Sequence, residues 1–217
     1  MKSDSQLKAD VSEELKWEPS VNATQIGVEV KDGVVTLAGH VDSYAEKWHA
    51  ERAAQRVSGV KALAVEMDVK LPGYSARTDV DIARSAEHAL SWTSYLPRDS
   101  VKAMVEKGFV TLTGEVEWEY QRNAANAAIR HLMGVVGVSN QIAIKASASA
   151  FVVKDGIEAA LKRRATSDAQ DISVSVHGSD VTLSGLVHSW SERELARSAA
   201  WGAKGVHSVV DKMTMTY

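Results

Sequence analysis

The sequence predicts an α+β protein made of three tandem αββαβ modules, each with two helices packed on a small three-stranded mixed sheet. A segment of the pattern Val-Thr-Leu-x-Gly occurs three times, ending at Gly39, Gly114 and Gly185. Twenty residues after each of these glycines comes a Gly-Val pair, which begins at Gly59, Gly134 and Gly205. The copies are 71 to 75 residues apart, which places the three domains at residues 1–72, 78–146 and 147–217.

Each copy begins with a predicted helix, because apolar residues recur there at a spacing of three to four. The residues that carry this stripe are Leu7, Val11 and Leu15 in the first copy, Ile82, Ala86 and Leu90 in the second, and Ile157, Ala160 and Leu161 in the third. Tryptophan ends the first two of these helices, at Trp17 and Trp92.

A β-hairpin is predicted next in each copy, because the apolar spacing changes to strict alternation. In the first copy Lys31-Asp32-Gly33 joins the strands, and Asp-Gly supplies the positive φ of a tight turn. Glu106-Lys107-Gly108 does the same in the second copy. The third turn, His177-Gly178-Ser179-Asp180, is expected to be one residue longer.

A second helix with a face of small residues completes each module together with one more strand. Its apolar positions in the first copy are Ala50, Ala53, Ala54 and Val57, which fit a helix lying close against a sheet. The glycine of each Gly-Val pair is expected to cap this helix and to open the last strand. The glycine that ends each Val-Thr-Leu-x-Gly segment is expected at the corner between strand and helix. The sequence leaves open whether the last strand pairs with the first or the second.

Composition narrows the range of functions. The chain has 45% hydrophobic and 24% charged residues, no cysteine and a formal net charge of −3. The missing cysteines exclude disulfides and thiolate chemistry. Acidic and basic residues are nearly balanced, at 28 and 25, so the chain lacks the excess of basic residues that neutralises phosphates. A nucleic-acid partner is therefore not expected.

The chain also lacks the sequence patterns of a catalyst or a cofactor protein. It has no phosphate-binding glycine loop, no catalytic triad order, and its seven histidines do not follow a metal-ligand spacing. We therefore predict a protein without enzymatic activity, cofactor or metal. No transmembrane segment or signal peptide is predicted, so the expected location is cytoplasmic, or periplasmic if a leader was removed.

Residues Gly33 to Val41, with the helix and the Gly-Val strand behind them, resemble the BON domain of bacterial osmotically inducible and nodulation proteins, and all three copies match. The resemblance implies an αββαβ fold and a stress-associated bacterial protein that contacts phospholipid surfaces or envelope-associated partners. Two alternatives stay open: a protein-interaction or chaperone-like scaffold, and a sensor of a small cation or ligand, since some relatives combine this domain with potassium recognition.

The residues that could contact lipid or a partner are aromatic or basic, and each has a second interpretation. They are Trp17, Trp92, Trp118, Trp190, Lys47, Arg122, Arg193, Lys162, Arg163 and Arg164. Tryptophans at helix ends favour bilayer interfaces or protein partners, but they also cap local cores. The basic residues fit lipid headgroups, a solvated helix face, or cations at a helix C-terminus. The sequence leaves the oligomeric state open.

Overall fold

The structure is a computed structural model, and it describes residues 2–145, 153–164, 172–203 and 206–216. The predicted α+β class and the order of elements are confirmed in three repeated modules. The first module contains α1 (Asp4–Trp17), β1 (Ile26–Lys31), β2 (Val34–Val41), α2 (Tyr44–Arg56) and β3 (Ala62–Val69). The second contains α3 (Asp79–Trp92), β4 (Val101–Glu106), β5 (Phe109–Val116), α4 (Glu119–Arg130) and β6 (Gly137–Ile144). The third contains α5 (Val153–Arg164), β7 (Ile172–His177), β8 (Asp180–Val187), α6 (Trp190–Trp201) and β9 (Ser208–Met215).

The three sheets share one topology, in which the second strand of each module lies in the centre. In the first module β1 pairs with β2 in antiparallel and β2 with β3 in parallel orientation, and the third module repeats both pairings. The last strand therefore pairs with the second strand, which answers the question that the sequence left open.

The hairpins are closed by two-residue turns. Asp32 and Gly33 both have positive φ, at 54° and 80°, and Lys107 and Gly108 follow with 50° and 76°. The expectation of a longer third turn is wrong, since Asp180 pairs with His177 as the first residue of β8. Only positions 178 and 179 remain between the two strands.

The core of each module lies between its helices and one face of its sheet. Val35 and Leu37 of β2 are fully buried, and the helix face opposite them is built from Ala50, Ala53 and Ala54. Thr36 lies between the two buried strand residues and is half-buried, because alternate strand residues point to opposite faces. The small side chains allow α2 to lie close to the sheet.

The glycines of the Val-Thr-Leu-x-Gly segments lie inside the second strand and not at the corner that the sequence predicted. Gly39 has φ +129° and Gly114 has φ +132°. A Cβ atom on Gly39 would stand 2.1 Å from the carbonyl oxygen of Gln25, and one on Gly114 the same distance from that of Ser100. In both modules the backbone just before the first strand passes too close to the second strand for a side chain at this glycine. Gly185 also has positive φ, at 120°.

The glycines of the Gly-Val pairs lie beyond the helices that they were expected to cap. The C-cap of α2 is Val57, and Gly59 follows with φ +102°. β3 begins at Ala62, so Gly59 shapes the connection from helix to strand. Gly134 does this after α4 with φ +87°. Gly205 lies outside the described residues.

The chain forms two compact units. One comprises Met1–Gly114 with Asn123–Ile142, and the other comprises Glu115–Arg122 with Ala143–Tyr217. The segment 115–122, which runs from the end of β5 into the start of α4 in the second module, thus packs with the third module. In the described ranges, none of the helices has the length and apolar character that crossing a bilayer requires.

Candidate functional site

The two tryptophans that end the first helices are exposed to solvent. Trp17 is the last residue of α1 and is 83% exposed, and Trp92 is the last residue of α3 and is 78% exposed. The ring of His88 lies beside that of Trp92, with 5.3 Å between centroids. The interpretation of these two tryptophans as caps of a local core is therefore wrong. They occupy the same position in consecutive modules.

A cleft of about 680 Å³ lies beside the end of α3. The helix contributes Glu87 and Leu90, and the loop before β4 contributes Leu96 and Arg98. Lys102 of β4 also lines it. The cleft thus combines apolar surface with both cationic and anionic side chains. Trp92 follows Ser91, which also lines it, so the exposed indole stands next to the cleft in the chain.

The loop before β4, which lines the cleft, differs from the loop before β1 in one backbone hydrogen bond. In the first module the backbone N–H of Asn22, in the loop before β1, donates to Oε1 of Glu46 at 2.7 Å and ties that loop to α2. The equivalent loop position in the second module is Pro97, which has no N–H to donate. The counterpart of Glu46 is Gln121, whose Oε1 accepts from the backbone of Glu117 and Trp118. The bond from the backbone N–H of Asn22 therefore has no counterpart at Pro97.

The recurring basic residues of the second helices have partners within the protein. Lys47 donates from Nζ to the carbonyl oxygen of Met67 in β3 at 2.8 Å. Arg193 forms an ion pair with Asp211 in β9 at 2.6 Å. Arg122 pairs with Glu119 at 2.7 Å and lies over the ring of Trp201, 5.1 Å from its centroid. These contacts account for the repeated cation without a lipid headgroup.

The remaining predicted residues are divided between half-buried and exposed positions. Trp118 and Trp190 are half-buried at the start of α4 and α6. Trp118 lies near Tyr120, and the guanidinium of Arg193 lies over Trp190. Arg163 is exposed near the end of α5, in the position that Trp17 and Trp92 occupy in the other modules. The side chains of Lys162 and Arg164 lie outside the described residues.

A contact between the first and second modules, inside the first compact unit, was not predicted from the sequence. The guanidinium carbon of Arg130 lies 3.7 Å from the ring centroid of Trp48, and that of Arg52 lies 5.2 Å from it. The rings of His49 and His131 lie 6.3 Å apart. The partners are about eighty residues apart in the chain, so only the tertiary structure reveals them.

Desolvation changes the pKa values of several groups at this contact. Burial raises the pKa of Tyr44, and Glu51 adds to the rise, while Arg130 and the backbone of Val138 oppose it. Burial also raises the pKa of Glu51 against the effect of Lys47. Partial desolvation of His131 lowers its pKa, helped by the charges of Arg130 and His49. Among the described residues no group of three or more acidic and histidine side chains is arranged to hold a metal ion.

The family model of the BON domain matches three segments of the chain, residues 3–70, 78–146 and 152–217. The chain belongs to the BON domain family. The chain of BON modules is 28% identical over 148 residues to osmotically-inducible protein Y of Escherichia coli K12. The aligned region covers 65% of this chain and 73% of that protein.

Two solved structures also match the chain of BON modules. Both are of CdsD, a structural protein of the type III secretion system of Chlamydia trachomatis, and each is 14% identical to this chain. The first match covers 97% of this chain and 92% of the CdsD chain, with a TM-score of 0.27. The second match covers 100% of both chains, with a TM-score of 0.28.

Proposed function

We propose that this protein is a non-enzymatic, osmotic-stress-related binding protein that contacts phospholipid surfaces through the ends of its first helices. Membership of the BON family and the similarity to osmotically-inducible protein Y support the class. The observation that carries the lipid contact is the exposure of Trp17 and Trp92 at equivalent helix ends. Both the cytoplasm and the periplasm border a phospholipid membrane, so either expected location is compatible with this function.

The physical chemistry of indole supports this assignment. Tryptophan is enriched at membrane interfaces, where its apolar rings enter the headgroup region and its N–H remains hydrated. In water, the exposed rings of Trp17 and Trp92 leave apolar area uncovered. Two such contacts on one chain act together, because binding of the first raises the effective concentration of the second.

The third module adds a cation where the others have an indole. Arg163 is exposed near the end of α5, and a basic residue near an anionic membrane surface contributes roughly 1 kcal/mol. With a net charge of −3, electrostatic attraction alone is weak, so the indoles supply most of the expected affinity.

The cleft beside α3 suits a phospholipid because it offers apolar and charged walls together. Leu90 and Leu96 provide the apolar part, and Arg98 and Lys102 provide cations. Within the part of the chain that the structure describes, neither cation forms an ion pair. A lipid that inserts next to Trp92 can place its phosphate between them.

Vesicle co-sedimentation tests the proposal. We expect wild-type protein to pellet with vesicles of phosphatidylcholine and phosphatidylglycerol, and the variant Trp17→Ala/Trp92→Ala to remain in the supernatant. Tyr74→Ala is the matched control, because Tyr74 is 77% exposed but lies in the linker. The lipid assignment is wrong if wild-type protein stays in the supernatant at low salt, or if the double variant pellets equally well.

The same exposed tryptophans also fit a protein partner, which is the second candidate function. Aromatic residues are enriched at the centres of protein interfaces. If the double variant loses a defined protein partner while wild-type protein ignores all vesicles, the scaffold function replaces the lipid function.

A further inference from the structure

Consecutive modules meet through an aromatic ring and a guanidinium, one near the start of a second helix and the other at the end of the next module's second helix. In the first compact unit, Trp48 near the start of α2 faces Arg130, the last residue of α4, at 3.7 Å. In the second compact unit, Arg122 near the start of α4 faces Trp201, the last residue of α6, at 5.1 Å. Arg130 and Trp201 stand sixteen residues after the strand glycines of their modules, Gly114 and Gly185. At the start of the helix the two contacts use neighbouring positions, since Trp48 stands nine residues after Gly39 and Arg122 eight residues after Gly114. Two similar contacts are thus made, with ring and guanidinium exchanged between the helix start and the helix end.

We propose that this exchange specifies which module docks on which. A cation–π contact needs one ring and one cation, so only an unlike pair stabilises the docking. The start of α2, with Trp48, fits a helix that ends in arginine, which is that of the second module. The start of α4, with Arg122, fits a helix that ends in tryptophan, which is that of the third.

Incorrect pairings are disfavoured by the same residues. If a second module docked on another second module, Arg122 would face Arg130, and two guanidiniums would repel each other. If the first module docked on the third, Trp48 would face Trp201, and the third module would contribute no cation to the pair. Specificity therefore comes from repulsion as well as attraction, as in other interfaces that select one partner.

The two ends of the array do not offer this pair to a second copy of the chain. The residue in the first module that corresponds to Arg130 and Trp201 is Gln55, which has neither charge nor ring. The residue in the third module that corresponds to Arg122 is Arg193, so a head-to-tail contact would bring Arg193 against Gln55, which has no ring to receive it. The contact between modules thus stops at three, and we expect no head-to-tail association of chains through it.

A further contact joins the same two modules in each case. His49 and His131 lie side by side at the first contact. At the second, the Nδ1 atom of His207 and the backbone carbonyl of Ile144 form a hydrogen bond. The aromatic and guanidinium pairs are therefore part of two defined interfaces.

An exchange of the two side chains in the full-length protein tests the proposal. The chain has no cysteine, so Ser58→Cys and Ser94→Cys place two dyes on the first and second modules for energy transfer. We expect Trp48→Arg to lower the transfer efficiency, because the introduced guanidinium would face that of Arg130, and Arg130→Trp to lower it less. The double exchange Trp48→Arg/Arg130→Trp is expected to restore the wild-type efficiency.

The control is Arg52→Gln, which removes the other guanidinium over Trp48 but leaves the contact between modules intact. Its transfer efficiency should equal that of the wild type, and far-UV circular dichroism should show all variants folded. The proposal is overturned if the double exchange is no better than the worse single variant, or if folded single variants leave the efficiency unchanged. The exchange Arg122→Trp/Trp201→Arg should show the same rescue with dyes on the second and third modules, and wild-type protein should sediment without head-to-tail dimers.

Discussion

The carboxylate of Asp79 accepts a hydrogen bond from the backbone N–H of Gly108, and a second from that of Lys107, each at 2.8 Å. Asp79 is the first residue of α3, and Gly108 closes the hairpin between β4 and β5. The first module repeats this contact, since Asp4 accepts from Asp32 and Gly33 at 2.8 and 3.1 Å. The first helix of each of these two modules is thus fixed to the tip of its hairpin, which positions the exposed tryptophan at the other end of the helix.

Replacing Asp79 by alanine should weaken this connection. Two backbone donors at the turn lose a charged acceptor, which costs about 1–3 kcal/mol of the free energy of unfolding. Urea denaturation of Asp79→Ala measures the loss. Glu87→Ala on the exposed side of the same helix is the control, and it should change the free energy by less than about 0.5 kcal/mol. Equal stability of the two variants would show that the turn does not need the carboxylate.

Glycine is required at the strand position that faces the preceding loop. In Gly114→Ala the new Cβ atom would stand 2.1 Å from the carbonyl oxygen of Ser100, at a φ of +132° that alanine disfavours. Backbone strain and overpacking together should cost roughly 2–5 kcal/mol. Thermal unfolding should show a large fall in the midpoint temperature.

Gly156→Ala in α5 is the matched control for this substitution. A Cβ atom on Gly156 meets open space inside a helix, so alanine should stabilise the protein by about 1 kcal/mol. The requirement for glycine at position 114 is disproved if the two variants unfold at the same temperature.

Glu51 should destabilise the protein at neutral pH. Burial raises its pKa in the folded state above the ordinary value of 4.5, so the folded state favours the protonated carboxyl. Below pH 4.5 the carboxyl is protonated in both states and costs no stability. As the pH rises through the raised folded pKa, the buried carboxyl ionises and the free energy of unfolding falls. Glu51→Gln should raise the free energy of unfolding at neutral pH and leave it unchanged below pH 4.5, as urea titrations at both values will show. Glu13→Gln on the exposed face of α1 is the control, and an identical pH profile for both variants would contradict the burial effect.

Much of the fold could be predicted from the sequence because each module repeats its local signals. The apolar alternation at Val35 and Leu37 is enough to predict the strand and its buried face. The small residues at Ala50 and Ala53 are enough to predict the helix that packs on that face. The position of Gly39 inside the strand could not be predicted, because it depends on the approach of the loop at Gln25, which is a tertiary contact.

The exposed tryptophans could have been recognised from helical phase alone. Trp17 stands two residues after Leu15, and Trp92 two after Leu90, so each lies about 200° around the helix from the buried stripe. Helical phase does not indicate which residue contacts Trp48. Arg130 lies on a different module, and nothing in the local pattern of either helix indicates that they meet.

Acid should weaken the contact between the first two modules through His131. Although this side chain is largely exposed, partial desolvation of its ring lowers its pKa below the ordinary 6.5, and the neighbouring charges of Arg130 and His49 act in the same direction. Because the folded state disfavours the protonated imidazole, stability is full above pH 6.5 and falls as the pH drops through the lowered folded pKa. His131→Asn keeps a polar side chain without a titrating ring, so its free energy of unfolding should fall less over this interval. His88→Asn, which removes a histidine beside Trp92 on α3, should leave the wild-type pH dependence in place. If His88→Asn flattens the profile and His131→Asn does not, the acid sensitivity arises at α3 and not at the contact between the modules.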